Sequence, residues 1–257
     1  MIRGLYTSAT GMLAQQKKMD TITNNMANAD TAGFKKDGVV TRAFDEELTR
    51  RLNDETQIEG TTIVKKIGDM SLGSFVQEVY TDFSQANVNQ TDNKLDIALD
   101  SQGFIAINHV NGAGETTEKY TRDGIFTRNQ DGILVTTDGY SVAGVENNTI
   151  ELGEGEVYID SSGAVYVNDE YIDTIKIVDF ENLDSIRKYG ENLWQTTEDS
   201  RQTAYTGNVL QGFREASNVN TVTEMVNMIT AMRAYEVNQK MIQTHDQTLS
   251  KAVNDIK

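Results

Sequence analysis

The sequence IRGLYTSATGMLAQQKKMDTITNNMA at residues 2–27 determines how the chain begins to fold. Its large apolar side chains recur at a seven-residue interval, and one further residue widens the stripe: Leu5, Met12, Met19 and Met26, with Ile22 beside them. Apolar residues at this period line one face of an α-helix and are typical of a coiled-coil seam. The pattern therefore predicts a helix over residues 2–27 whose apolar face needs a partner.

The other end of the chain repeats this pattern. One apolar track has the same seven-residue interval and contains Met228, Tyr235, Ile242, Leu249 and Ile256. A second track holds Met225 and Met232, and the polar residues Gln239 and Asp246 interrupt it. We therefore predict a second coiled-coil-like helix from about residue 219 to the end. The two thin seams favour association with other molecules, and a helical hairpin inside one molecule is the alternative.

Between the two helices the apolar period changes to two. Leu95, Ile97 and Leu99 alternate with Asp96 and Asp100, and a second apolar run follows at residues 104–107. The Asp-Gly pairs beginning at Asp123, Asp131 and Asp138 are typical of tight hairpin turns. The sequence thus predicts an α+β fold, in which an antiparallel β domain is inserted between N- and C-terminal coiled-coil-like helices.

Changes in pattern predict three regions along the chain. Residues 1–35 and 215–257 form a terminal helical assembly domain, and residues 76–214 form a β-rich outer domain. Residues 36–75 have weak alternation and several glycines, so we expect an extended linker that is mobile by itself.

Charge excludes several classes of function. The chain has 39 acidic and 23 basic residues, so most of its surface would repel a phosphate backbone, and we expect no nucleic-acid partner. Cysteine is absent, which excludes disulfides and thiolate chemistry. Residues 129–175 contain ten acids and no Lys or Arg, which predicts a solvated outer face. A calcium site is the alternative, but the loops lack the spacing of an EF-hand.

The residue types of a catalytic centre are sparse. His109 and His245 are too few and too far apart in sequence for a histidine metal cluster or a triad. Glu154 and Glu156 could form the carboxylate pair of a glycosidase, but carboxylates are so frequent here that such a pair arises by chance. We therefore expect no catalytic residue, metal, cofactor or small-molecule substrate. An acidic monomeric binding module and a carbohydrate-active enzyme stay open as rival interpretations.

Two terminal motifs carry a resemblance to a known family. Residues 23–35 read TNNMANADTAGFK, and residues 217–238 begin SNVN and end RAYEVN. Both runs resemble the terminal signatures of bacterial flagellar rod and hook proteins, and residues 95–107 and 120–124 match the family in the β domain. One difference is Ala32, where relatives often carry proline. The residues that carry the terminal motifs are Asn24, Asn25, Gly33, Phe34, Ser217, Asn218, Asn220, Arg233 and Glu236.

The resemblance implies a structural subunit of the flagellar basal-body rod. Its terminal helices would polymerise helically into a hollow, torque-transmitting shaft, with the β domain outside. The implied partners are further copies of the chain, other rod and hook proteins, and the flagellar type III export apparatus. The first residues lack the apolar core of a cleavable signal peptide, so export without cleavage is expected. The proximal and distal rod types are not distinguished, and a hook or hook-junction protein is the alternative within the family.

The resemblance also assigns roles to individual residues. The seam residues named above are the expected subunit interface. Asn24, Asn25 and Gly33 suit a polar turn at the helix end, because Asn and Gly accept left-handed backbone conformations. Asn218 and Asn220 precede the last helix, where a short polar side chain can satisfy the first helical N–H groups.

Overall fold

The computed structural model describes residues 2–45, 47–58, 61–110, 115–190 and 192–254. The chain divides into two compact units. Residues 1–26, 37–81 and 221–257 form a helical unit, and residues 27–36 and 82–220 form a β unit. The predicted α+β class, with an antiparallel β domain between two terminal helices, is confirmed.

The helical unit contains both terminal helices and four strands. The helices are α1 (Ile2–Ala27) and α2 (Thr221–Asn254). The strands are β1 (Asp37–Ala43), β2 (Glu47–Ile58), β3 (Thr61–Met70) and β4 (Ser74–Thr81). Over their described residues, neither helix has an apolar stretch long enough to cross a membrane.

The two helices contact each other through glycines of α1. A Cβ atom on Gly4 would lie 2.7 Å from Nε2 of His245, and one on Gly11 would lie 3.2 Å from Nδ2 of Asn238. A glycine lets two backbones approach closely because it has no side chain. The helices therefore pair within one molecule, as in the hairpin alternative, and they run antiparallel, since the earlier residue of α1 faces the later residue of α2.

Residues 36–75 differ from the predicted linker. Strand β1 pairs antiparallel with β4, with Asp37 opposite Thr81 and Ala43 opposite Ser74, and β2 pairs antiparallel with β3. The whole segment 37–81 belongs to the same unit as the helices. The sequence pattern missed these ladders because a two-stranded ribbon does not require a regular apolar face.

The β unit is built from sixteen short strands of the described chain. In order they are β5 (Val88–Gln90), β6 (Ile97–Leu99), β7 (Phe104–Val110), β8 (Thr116–Thr121), β9 (Phe126–Arg128), β10 (Leu134–Thr136), β11 (Ser141–Val142), β12 (Val157–Ile159), β13 (Ala164–Val167), β14 (Glu170–Thr174), β15 (Ile177–Phe180), β16 (Ile186–Tyr189), β17 (Leu193–Thr196), β18 (Gln202–Ala204), β19 (Val209–Gln211) and β20 (Phe213–Glu215).

All strand pairs of this unit are antiparallel. The largest sheet has the order β16-β17-β8-β7-β11-β10-β9, and β15 pairs with both β7 and β18. A separate sheet has the order β12-β13-β14, and two ladders join β19 to β6 and β20 to β5. The ladder between β20 and β5 holds the end of the β unit against its beginning, with Glu215 opposite Val88.

Two apolar clusters form the core of the β unit. The larger contains Ile97, Phe126, Leu134, Ile150 and Val165, all at most 1% exposed. The smaller surrounds Trp194, which is 2% exposed and packs near Phe104 and Phe83. Burial of this kind contributes about 25 cal/mol for each Å² of apolar surface removed from water. Trp194 therefore lies in the core of the β unit.

The predicted turns divide into two kinds. Gly132 and Gly139 have φ of 80° and 87°, the left-handed conformation that tight turns require. Gly124 has no such conformation, so the prediction of a hairpin turn there is wrong. A Cβ atom on Gly124 would overlap the carbonyl oxygen of Ile97, and the carbonyl oxygen of Gly124 accepts a 2.9 Å hydrogen bond from the N–H of Ile97. Glycine is needed there for a close backbone approach.

Candidate functional site

The first candidate site is a buried group of charges in the β unit, where Glu215 binds two cations. Its Oε1 accepts a 2.6 Å hydrogen bond from Nζ of Lys35, and its Oε2 accepts a 3.0 Å bond from Nη1 of Arg122. The backbone N–H of Ala86 donates to the same carboxylate at 2.9 Å. The three charged side chains are at most 2% exposed. We call Lys35, Arg122 and Glu215, with Gly33 and Asn218 beside them, the crossover cluster.

This cluster makes the three charged side chains depend on one another. Removing a charge from water costs several kcal/mol, which is recovered only when a partner and hydrogen bonds satisfy it. Lys35 Nζ also donates a 2.8 Å bond to the carbonyl oxygen of Ser84. Burial lowers the pKa of the Lys35 ammonium from its ordinary value, although the carboxylate of Glu215 opposes this shift. Removal of Glu215 would therefore leave two buried cations without a counter-charge.

Gly33 occupies a position that no other residue fits well. Its φ is +66°, and a Cβ atom would overlap the backbone carbonyl of Arg122. Its N–H donates a 3.0 Å bond to the carbonyl oxygen of Glu215. The next residue, Phe34, is 1% exposed, and Nζ of Lys188 lies 4.3 Å from the centre of its ring. The Gly-Phe-Lys run of the N-terminal motif is thus part of the packed β unit.

Asn218 joins chain segments that leave the β unit. Its Oδ1 accepts a 2.8 Å bond from the N–H of Lys36, and its Nδ2 donates at 2.8 Å to the carbonyl oxygen of Asp82. The chain enters the helical unit directly after Lys36 and returns to the β unit at Asp82. The predicted role of Asn218 as a cap of the last helix is therefore wrong, because its side chain is bound to these two backbones.

The other residues of the C-terminal motif follow in the chain or lie beside Asn218 in sequence. Ser217 accepts a 3.3 Å hydrogen bond at Oγ from the N–H of Val219. Asn220 directly precedes the first residue of α2, which is the position predicted for a cap. Arg233 and Glu236 lie on α2 and are exposed.

The end of α1 has a separate polar contact. Nδ2 of Asn25 donates a 2.8 Å bond to the carbonyl oxygen of Asp37, and Oδ1 of Asn25 accepts a 2.9 Å bond from the N–H of Asp37. Asn25 is 2% exposed, whereas Asn24 is exposed. Both asparagines lie within α1 and neither has a positive φ, so the predicted left-handed turn at these two positions is wrong. Asn25 instead fastens the first residue of β1 to the helix.

The second candidate site is the set of predicted seam residues on the helices. Ile22 is buried, and most of the others are half-buried within the chain: Leu5, Met12, Met19, Met26, Met228, Tyr235, Ile242 and Leu249. Met225 and Met232 are exposed by 48% and 49%. Ile256 lies outside the described residues. Their role in a subunit interface stays a prediction.

The inward face of α2 differs from the predicted one at its second track. The track next to Met228, Tyr235, Ile242 and Leu249 contains Ala231, Asn238 and His245, one position before Met232, Gln239 and Asp246. The small and polar residues of this track face α1. The two helices approach closely at Gly4 and Gly11, so little space is left there for a larger side chain of α2. Met225 and Met232 of the predicted second track consequently point outward.

Sequence reasoning missed the central residue of the crossover cluster. Lys35 and Arg122 stand inside the quoted motifs, but Glu215 lies just before the C-terminal one and nothing in its neighbourhood marks it as buried. The available signal was that Lys35 directly follows the small and apolar residues 32–34, because a buried cation requires an acid. Among the described residues, no group of three or more His, Asp or Glu side chains is arranged to hold a metal ion.

Three family models match the chain, and together they cover the regions described above. "Flagella basal body rod protein" matches residues 5–35, "Flagellar hook protein FlgE/F/G D1 domain" matches residues 98–167, and "Flagellar basal body rod FlgEFG protein C-terminal" matches residues 210–255. The first and third of these regions contain the motifs that bind within the crossover cluster.

Similar proteins match over almost their entire length. The flagellar basal-body rod protein FlgG of Buchnera aphidicola subsp. Schizaphis graminum is 35% identical over 98% of both chains. FlgG of Bacillus subtilis is 34% identical over 99% of both chains, and the flagellar hook-basal body complex protein FlhO of that organism is 30% identical over 100% of this chain and 99% of its own. This chain therefore belongs to the flagellar basal-body rod protein family and is a structural rod subunit located in the flagellar basal body.

Proposed function

We propose that this rod subunit polymerises helically with further copies of itself into a hollow shaft that transmits torque. The observation that carries the proposal is the outward face of α2. Large apolar side chains are exposed along its length, by 47% to 67%: Val222, Met225, Val226, Ile229, Met232, Val237, Met241 and Val253. An apolar face of this length is unusual on a monomer and is typical of an assembly surface.

The composition of this face suits packing against several neighbours. Three of its residues are methionines, whose flexible and polarisable side chains adapt to contacts of slightly different geometry. A subunit on a helical polymer meets each neighbour through a different patch of its surface. On α1, Leu13 is 63% exposed and Tyr6 is 52% exposed, so the first helix also offers apolar area to a neighbour.

The remaining partners follow from the family. We infer that the chain also contacts other rod and hook proteins, and that the flagellar type III export apparatus moves it across the cytoplasmic membrane without cleavage of a signal peptide. The rod is favoured over the hook alternative because FlgG relatives are named as basal-body rod proteins. This role requires no catalytic residue, cofactor, small-molecule substrate or nucleic acid, in contrast to the enzyme interpretation.

The test places one charge on the outward face of α2. Met232→Asp should leave the free energy of unfolding of the monomer unchanged within about 0.5 kcal/mol, because the side chain is exposed. It should abolish the large species that the unchanged protein forms at high concentration, observed by sedimentation velocity and by electron microscopy. Val145→Asp is the matched control, since Val145 is 59% exposed on the β unit.

The alternative of a monomeric acidic binding module predicts a different result. In that case the unchanged protein would stay monomeric at every concentration, and Met232→Asp and Val145→Asp would behave alike. Equal loss of assembly in both variants would also contradict the proposal, because it would place the interface elsewhere.

A further inference from the structure

A row of three tyrosines crosses the small sheet of the β unit. In the ladder of β12, β13 and β14, Tyr158 stands opposite Tyr166, and Tyr166 stands opposite Tyr171. Their ring centres are 6.2 Å and 5.8 Å apart, and the ring planes are inclined by 42° and 68°. We call these three residues the tyrosine ladder.

The fold does not require the outward face of this sheet to be aromatic. The opposite face carries Val157, Ile159, Val165 and Val167, which are at most 8% exposed and belong to the larger core. Side chains of a strand alternate between the two faces, so the tyrosines point away from that core. Tyr158 is 57% exposed, and Tyr171 is 55% exposed. Exposed tyrosines in register across a sheet are typical of a contact surface.

Acidic residues surround the tyrosine ladder. Glu154, Glu156, Asp169 and Glu170 are all exposed in the turns at the ends of these strands. No Lys or Arg occurs in residues 129–175, and the nearby Lys94 is bound in an ion pair to Glu156. A cleft of about 580 Å³ adjoins Tyr158, and its lining includes Asp92, Glu156 and Asp169. The lining of this cleft therefore holds three acids and one cation, Lys94, so acidic side chains are in excess.

We propose that the tyrosine ladder docks a basic segment of a different protein, with arginine side chains stacked on its rings. A guanidinium group is planar and stacks on an aromatic face while it pairs with a carboxylate, which an ammonium group does less well. The surface supplies both, because Tyr158 lines the same cleft as the carboxylates of Asp92 and Asp169. A second copy of the chain is disfavoured as the occupant of this acidic face, since it carries a net charge of -16, whereas the apolar face of α2 proposed for the polymer needs no opposite charge.

The inclination of the rings argues against a carbohydrate. A sugar platform presents aromatic faces that are nearly coplanar, whereas Tyr166 and Tyr171 are inclined by 68°. Separate arginine side chains can each follow the tilt of one ring. The proposal is independent of the helical polymer, because it concerns only residues of the β unit.

The test measures binding of a synthetic Gly-Arg repeat peptide to the full chain by isothermal titration calorimetry. The double variant Tyr158→Leu with Tyr171→Leu keeps the net charge and removes two exposed rings. It should bind the peptide roughly tenfold more weakly, which is the loss expected for two exposed cation–π contacts. Tyr80→Leu is the control, because Tyr80 is 51% exposed on β4 of the helical unit. A Gly-Lys repeat of equal length should bind the unchanged chain more weakly than the Gly-Arg repeat.

The outcomes separate the proposal from its competitors. Loss of Gly-Arg binding in the double variant alone, with an unchanged circular dichroism spectrum, would support it. Equal binding by all variants, or equal affinity for both peptides, would overturn it in favour of diffuse charge attraction. A change in sedimentation of the double variant without added peptide would overturn it in favour of a second copy as the occupant.

Discussion

The crossover cluster of the β unit buries charged side chains, whereas the outward face of α2 exposes apolar ones. Lys35, Arg122 and Glu215 are charged, yet they are buried and bound to one another within the chain. Met225 and Met232 are apolar, yet they are exposed. Because the polar cluster is completed internally and the apolar face of α2 is open, we expect substitutions in the cluster to change stability and substitutions on the face to change assembly.

Both terminal signatures of the family contain residues that are bound inside the β unit. The motif residues Gly33, Phe34 and Asn218 bind within the β unit and need no second molecule. Substitutions there should act first on folding. Substitutions on the outward face of α2 should act on assembly, as proposed above for Met232.

The largest effect is expected from Glu215→Gln. The substitution leaves Lys35 and Arg122 buried without a counter-charge, which should lower the free energy of unfolding by about 3–5 kcal/mol. Urea unfolding followed by Trp194 fluorescence measures the change. The matched control is Glu156→Gln, which breaks the exposed ion pair with Lys94 and should leave the midpoint unchanged. Equal stability of Glu215→Gln and the unchanged chain would show that the buried charges are not the stabilising element of this region.

The second largest effect is expected from Gly33→Ala. The added methyl group meets the backbone of Arg122, and a left-handed φ is unfavourable for alanine, so the loss should be roughly 2–4 kcal/mol. Gly139→Ala separates the two causes, because Gly139 has φ of 87° with no neighbour within 4 Å of the added atom. It should cost about 1 kcal/mol. If both variants lost the same amount in urea unfolding, close packing at Gly33 would contribute nothing.

The sequence predicted the elements better than it predicted the contacts between them. The seven-residue period gave α1 as residues 2–27, and apolar runs gave most strands of the β unit, because periodicity follows directly from burial of one face. It could not place the buried Glu215, since the partners Lys35 and Arg122 are distant in the chain and only the fold brings them together. It also placed the second track of α2 one residue late, because it weighted the large Met232 over the small Ala231 that fits against α1.

The next effect concerns Asn25, a buried polar residue of the helical unit that binds the backbone of the same unit. Asn25→Ala removes both hydrogen bonds from its side chain to the backbone of Asp37. The loss should be about 2 kcal/mol of unfolding free energy. Asn24→Ala changes the exposed neighbour and should cost less. The ordering of the two variants in thermal unfolding tests whether Asn25 has a structural role that Asn24 lacks.

The smallest effect concerns the carboxyl group of Asp123, which directly follows Arg122 of the crossover cluster in the chain. Burial raises the pKa of Asp123 from its ordinary value of 3.8 to about 6, and the charges of Asp138 and Asp96 add to the shift, while a backbone hydrogen bond from Ile125 and the charge of Arg214 oppose it. In the folded chain Asp123 therefore holds a proton at pH values where the unfolded chain has already released it. The contribution of Asp123 to stability consequently falls as the pH rises from about 4 to about 6.

Asp123→Asn should remove this part of the pH dependence. The amide oxygen can still accept the 3.0 Å hydrogen bond from the N–H of Ile125, so the fold keeps that contact. We expect the variant to gain stability relative to the unchanged chain as the pH rises through this window, and to keep that gain above it. Urea midpoints measured between pH 4 and pH 7 would give the difference, with the exposed Asp92→Asn as control. A constant difference between Asp123→Asn and the unchanged chain at every pH would mean that the carboxyl group keeps its ordinary pKa. In that case the burial of Asp123 would cost no stability near neutral pH. The contrast between the stabilising crossover cluster and the exposed apolar face of α2 would then be larger.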